Sequence, residues 1–132
     1  MERQKKQDGS VFARGAAGFG ALAVVLGAFG AHGLKETLES HGGVSVWETA
    51  SHYHLLHAVA LYAIAHGAPK RRKAWVLLMV GTVIFSGSLY GLAVGGPRWL
   101  GPVTPLGGLA MVLGWGALAL PEAKAPEPDS AP

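Results

Sequence analysis

The feature that most limits this chain is the separation of its charges from its apolar residues. Between Val11 and Leu120, four apolar stretches alternate with short polar joints. They run from Val11 to Ala31 (broken only by Arg14), from Trp47 to Ala65, from Ala74 to Val94 and from Pro105 to Leu120. A helix needs about 20 residues to cross a hydrocarbon core about 30 Å thick. The first and third stretches reach that length outright. The fourth is shorter and needs a thin bilayer or the addition of Val103 and Thr104. The second is mainly apolar only from Leu55 to Ala65, around His57, which is too short to span alone. The expectation is an all-α fold, a four-transmembrane-helix bundle at residues 11–121. A disordered extension (1–10) and a disordered proline-rich tail (122–132) are expected to flank it.

Composition agrees. Half of the 132 residues are hydrophobic and only 14% are charged, too few to cover a small soluble domain with polar surface. The formal charge of +3 does not point to nucleic acid, because the basic residues sit in clusters beside apolar runs. With no cysteine, a disulfide framework, a thiolate metal site and a cysteine nucleophile are all excluded.

Boundary signals fit the division. Ser45-Val46-Trp47-Glu48 reads as a capping box, and Thr104-Pro105 as an N-cap followed by proline at the first helical position. Gly42-Gly43, following a short surface helix at Leu34 to Ser40, and Gly95-Gly96-Pro97 read as helix stops. Of the eleven Lys and Arg, nine fall on one side of a four-span arrangement: Arg3, Lys5, Lys6, Arg14, Lys70 through Lys73 and Lys124. Only Lys35 and Arg98 fall on the other. The positive-inside rule then places both termini in the cytoplasm and the chain in the plasma (inner) membrane as a multi-pass protein. A competing reading makes the first stretch a signal peptide cleaved after Gly30, leaving three helices.

Glycine and histidine carry the remaining information. Gly18-Phe19-Gly20-Ala21-Leu22-Ala23 matches a relaxed dinucleotide fingerprint, but it lies within an apolar helix rather than after a strand, so the match is accidental. Spacing of four in Ala23, Gly27 and Ala31, and in Gly87, Gly91 and Gly95, suits close helix packing in lipid. On another face of the third helix, Thr82, Ser86 and Tyr90 recur at the same spacing, either as interhelical hydrogen bonds or as the lining of a polar path.

Of six histidines, His32, His52, His54 and His57 gather toward the end of the bundle opposite the basic clusters. Glu48 and His52 share one face of the second helix, and Ala50, His54 and His57 the other. An ionisable group at membrane depth should face the interior and have a partner. His32, His54 and His57 are therefore a candidate intramembrane polar site with Thr82, Ser86 and Tyr90. Neutral imidazoles are common metal and haem ligands. No metal or cofactor is expected, because Glu48 projects from a different face and no carboxylate is placed to orient the rings. Trp47, Trp75 and Trp99 sit near helix ends, where indole prefers the interface, while Trp115 lies deeper and needs packing or an acceptor. No nucleophile with an adjacent base and no phosphate loop is present, so no enzyme activity is expected.

The ordered stretches Leu26-Gly27-Ala28-Phe29-Gly30-Ala31-His32-Gly33-Leu34, Trp47-Glu48-Thr49-Ala50, Tyr53 through His57-Ala58, Phe85-Ser86-Gly87-Ser88-Leu89-Tyr90 and Thr104-Pro105-Leu106-Gly107-Gly108, with Gly114-Trp115, resemble a known family. It is domain of unknown function 423, the YgdD/YwdK-like small membrane proteins. The resemblance covers about residues 15 to 120 and implies four membrane helices. It also argues against cleavage after Gly30, because the first motif runs across that bond. It brings no reaction, cofactor or catalytic residue. His54 stands where glutamine is expected in many members, which weighs against a family-wide metal site there. The expectation for function is a non-catalytic packing or accessory subunit, or a homo-oligomer, in the lipid bilayer. The alternative is a small transporter or channel with a polar path past His57, Thr82, Ser86 and Tyr90.

Overall fold

The computed structural model describes residues 2–121, with side chains from residue 9 onward. The tail read as disordered, 122–132, lies outside the described residues. Five helices follow one another: α1 (Glu2–Ala31), α2 (Lys35–Ser40), α3 (Val44–Gly67), α4 (Arg72–Ala93) and α5 (Leu100–Ala119). Their backbone carries no strand among the described residues. α1 starts at Glu2, ahead of the apolar run, so the stretch read as an extension continues the helix. Its Glu, Arg, Gln and Lys are good helix formers, and no proline interrupts them.

Among the described residues, three helical segments are long and apolar enough to cross a membrane: Gly9–Ala31, Arg72–Ala93 and Leu100–Ala119. α3 is as long as any of them, about 36 Å for its 24 residues. Four histidines and Glu48 keep it from matching their apolarity. It is nonetheless central, packing against α1 on one side and α4 on the other, while α5 lies along α4. Ala16, Leu61, Leu78 and Met111, one residue from each long helix, form the principal core cluster. A second cluster, at the α2 end, joins Leu38, Trp47 and Ala93.

Outside this narrow core the apolar residues point away from the protein. Leu22, Val24 and Phe29 on α1, Leu56 and Val59 on α3, and Leu106, Leu109 and Val112 on α5 are all about half exposed or more. A belt of that size would be an aggregation hazard in water, and lipid is the solvent that it suits.

The glycine stops act through one geometry. At the end of α2, Gly42 takes φ +64°, and the N–H groups of Gly43 and Gly42 donate to Leu38 O and Glu39 O at 2.8 and 3.2 Å. At the end of α4, Gly95 takes φ +81°, and Gly96 and Gly95 donate to Gly91 O and Leu92 O at 2.8 and 3.1 Å. Both are Schellman motifs, which need a residue at positive φ and satisfy the last helical carbonyls.

The N-terminal expectations are corrected. α3 begins at Val44 with Gly43 as its cap, and no side chain caps it, so Ser45 and Glu48 do not form a capping box. Gly43 packs so closely on the Ala93 carbonyl that the turn is fixed by that contact. α5 begins at Leu100, and Pro105 lies inside it rather than at its first position. Proline is tolerated there because a membrane helix re-satisfies freed backbone groups with neighbours and hydroxyls. Thr104 does not cap: it donates to Leu100 O and shares a 2.7 Å hydrogen bond with Ser88 of α4.

α4 and α5 meet backbone to backbone. A Cβ placed on Gly81 or on Gly107 would lie 2.8–2.9 Å from the other's carbonyl oxygen, and one on Gly114 would lie 2.7 Å from Leu78 Cγ. The stripe read from spacing behaves differently. Gly87 has open space around it, Gly91 faces the Leu100 side chain, and Gly95 belongs to the turn. A Cβ on Gly27 would lie an ordinary 3.9 Å from Ser51 Oγ.

Candidate functional site

Positions 47, 50, 54, 57, 61 and 65 of α3 are all buried, a spacing of three and four that keeps one stripe toward the interior. His54 and His57 lie on that stripe, while Glu48 and His52 are exposed on the other face, as the helical wheel requires. Two histidines thus enter the bundle beside each other, one turn apart, and they look toward different helices.

His54 is 3% exposed and faces α1 and α4. Its ring lies 4.0 Å from that of Phe19, centroid to centroid, and its Nδ1 is 3.2 Å from the Tyr90 hydroxyl. The Tyr90 O–H in turn donates to Ser51 Oγ at 3.3 Å, back on α3. Tyr90 is held on its other side by Trp47, whose ring centroid is 4.5 Å away.

His57, 8% exposed, faces α5. Its Nδ1–H donates to Tyr53 O at 2.9 Å, since a carbonyl only accepts. The Trp115 indole N–H, a donor only, therefore binds the lone pair of Nε2 at 3.1 Å. Both ring nitrogens are occupied in the neutral form, and Trp115 has the acceptor that its depth required.

The hydroxyl row on α4 does not line one space. Thr82 donates to Leu78 O at 2.7 Å and touches Met111 Sδ at 3.5 Å, whereas Tyr90 is bound to α3. Ser86 is buried and its Oγ has no hydrogen-bond partner among the described residues; the same is true of His54 Nε2. His32 lies exposed past the end of α1 and does not join the other histidines. Among the described residues, no three His, Cys, Asp or Glu side chains come together closely enough to hold a metal ion.

Several residues that bind the helices together were not legible as such. Trp47 and Trp75, both near helix starts, each tie two helices together. Trp47 is buried and donates to Leu26 O at 3.0 Å, tying α3 to α1. Trp75 is half-buried and donates to Leu61 O at 3.0 Å, tying α4 to α3. Gly30 lies directly against the Trp47 indole, where any Cβ would collide with it. Arg71 donates from both guanidinium ends, to Ala117 O and Leu120 O at 2.9 Å each. It closes the C-terminal end of α5, where exposed carbonyls favour a cation. Ser51 carried only the faint signal of standing three residues before His54 on a helix.

Helices with an apolar outer surface, joined inside by a few polar bonds, define a small helical membrane protein. Residues 26–108 match the DUF423 family of proteins of unknown function, and the chain belongs to that family. It is 44% identical over 101 residues to UPF0382 membrane protein YwdK of Bacillus subtilis, an overlap of 71% of this chain and 80% of the relative. To UPF0382 inner membrane protein YgdD of Escherichia coli it is 41% identical over 103 residues, 73% of this chain and 76% of the relative. UPF0382 membrane protein C1782.12c of Schizosaccharomyces pombe is 37% identical over 106 residues, 75% of this chain and 90% of the relative. No solved structure matches the chain.

Proposed function

We propose that this chain crosses the plasma membrane four times with both termini in the cytoplasm, and acts without catalysis as a packing or accessory subunit or as a homo-oligomer. The observation that carries the reading is how the buried polar groups are used. Tyr90 reaches Ser51, Trp115 reaches His57 and Ser88 reaches Thr104, each from one helix to another. Polar atoms used in this way act as glue between helices in lipid. The length and central position of α3 support its being a fourth span, and the distribution of Lys and Arg supports the orientation.

Gly87 offers the surface for assembly, being exposed with open space around it. A Cβ at Gly87 meets nothing within 4 Å, whereas one at Gly91 would meet Leu100 of the same chain, so Gly87→Leu is the substitution that tests the face. Chemical crosslinking in membranes should capture an oligomer or complex with the native chain and lose it with Gly87→Leu. Unchanged capture excludes this face as the interface. For topology, single cysteines at Ser10, Ser40, Gly67 and Trp99, all exposed, are treated with an impermeant thiol reagent on intact cells. Labelling is expected at Ser40 and Trp99 only, and the opposite pattern reverses the orientation.

The alternative, a transporter or channel with a path past His57, Thr82, Ser86 and Tyr90, draws support from the unpartnered Ser86 hydroxyl. The bonds already held by His57 and Thr82 weigh against it. Reconstituted vesicles that show a pH-dependent flux, abolished by His57→Ala, would favour the path.

A further inference from the structure

His54 and His57 are equally deep and chemically unequal. Protonating His57 at Nε2 would set an N–H against the Trp115 N–H and break the bond between α3 and α5. His54 Nε2 has no such partner to lose.

The other nitrogen of His54 leads outward. Nδ1 meets the Tyr90 hydroxyl, Tyr90 meets Ser51, and Ser51 lines a groove between α1, α2 and α3 with a volume of about 650 Å³. Lys35, Glu39, Glu48 and His52 also line that groove, so it is polar on the α2 side and can hold water. Two hydroxyls that each both donate and accept therefore join the groove to a ring buried in the bundle. We propose that His54 is a proton-binding site, exchanging its proton with the groove through Tyr90 and Ser51.

The chain of bonds runs in two senses. As placed, Nδ1–H donates to Tyr90 and Tyr90 to Ser51. In the reverse sense the ring hydrogen is on Nε2, Ser51 donates to Tyr90 and Tyr90 to Nδ1. Uptake uses the reverse sense. A hydronium in the groove gives a proton to Ser51 Oγ as the Ser51 O–H hydrogen passes to Tyr90. The Tyr90 hydrogen passes to Nδ1, and the ring becomes imidazolium with an N–H at each end. One O–H bond breaks and one forms at each hydroxyl, nothing is oxidised, and the charge moves from water to the ring. Release is the same sequence backwards.

The surroundings set what the ring meets. α1 presents Phe19, whose ring face can receive a cation, and α4 presents Tyr90. On α3 the neighbouring ionisable groups are His57, already bonded at both nitrogens, and Tyr53, whose ring stacks on His57. Among the described side chains, the charged ones of the packed helices, Arg14, Glu48, Arg72 and Lys73, are exposed, as are Lys35, Glu36 and Glu39 of α2.

Whole protein labelled with ¹⁵N-histidine and reconstituted in lipid nanodiscs reports this directly by NMR. The His54 signals are assigned by their loss in His54→Gln. As the pH falls from about 8 to about 5, the range in which imidazole serves as a switch, both His54 nitrogens should become protonated. Tyr90→Phe keeps the ring that packs on Trp47 and removes the relay oxygen, and Ser51→Ala removes the outer link. Each should slow deuterium exchange at the His54 ring by about tenfold or more. Should one variant fail to fold, the other and the native titration still decide. A His54 that stays neutral throughout, or that exchanges as fast in either folded variant as in the native chain, overturns the proposal.

Discussion

Replacing Gly107 with alanine tests the backbone-to-backbone approach of α5 to α4. The added Cβ would lie 2.8 Å from Gly81 O and from Phe85 Cα, and would also collide with the Phe85 amide nitrogen. All three are backbone atoms of a regular helix, so no rotamer change relieves the contact. Restoring ordinary van der Waals distance, about 3.4 Å, to the Phe85 amide nitrogen moves α5 away from α4 by about 1 Å. A gap of that size forfeits a quarter to a half of each dispersion contact along the interface. Overpacking of this kind costs about 1–3 kcal/mol, offset by the about 0.8–1 kcal/mol that alanine gains over glycine inside a helix. A net loss of up to about 2 kcal/mol lowers the folded-to-unfolded ratio by up to about 30-fold. Gly87→Ala, in open space, supplies the control and should stay within about 0.5 kcal/mol of the native chain or exceed it. The assay is reversible unfolding of purified protein in mixed micelles of rising dodecyl sulfate content, followed by tryptophan fluorescence. If Gly107→Ala proves as stable as Gly87→Ala, the two backbones are not in contact and the reasoning fails.

Two further substitutions probe the polar bonds between helices by the same assay. Trp115→Phe removes the indole donor to His57 Nε2 and should destabilise the fold by about 1–3 kcal/mol, the cost of a buried acceptor left unpaired. No loss would mean that Trp115 does not bind His57 in lipid. Ser88→Ala and Thr104→Ala, singly and together, form a double-mutant cycle across α4 and α5. A coupling of about 0.6 kcal/mol is expected, the average for such bonds in membranes. Additive losses would show that the two hydroxyls act separately.

What the sequence determined by itself is local and periodic. The apolar runs located the helices because the length needed to cross lipid, or to pack in it, is written in consecutive residues. Gly42-Gly43 and Gly95-Gly96 marked both Schellman turns because a positive φ is a property of one residue and its neighbours. The 3.6-residue period placed His54 and His57 on one side of α3 and Glu48 and His52 on the other, which also decided that the first pair is buried. Partners are a different matter. Tyr90 and Ser51 are 39 residues apart, and Trp115 and His57 are 58 apart, and no local rule joins them. Spacing of four selected Gly87, Gly91 and Gly95, yet Gly81, Gly107 and Gly114 make the contact. Spacing gives a face but not the angle at which that face meets another helix. The start of α3 was misread for a similar reason: Gly43 caps it because the turn lies against the Ala93 carbonyl, a neighbour that exists only after α4 has docked. Sequence fixes what each helix can present, and only the packing of one helix on the next decides what each side chain meets.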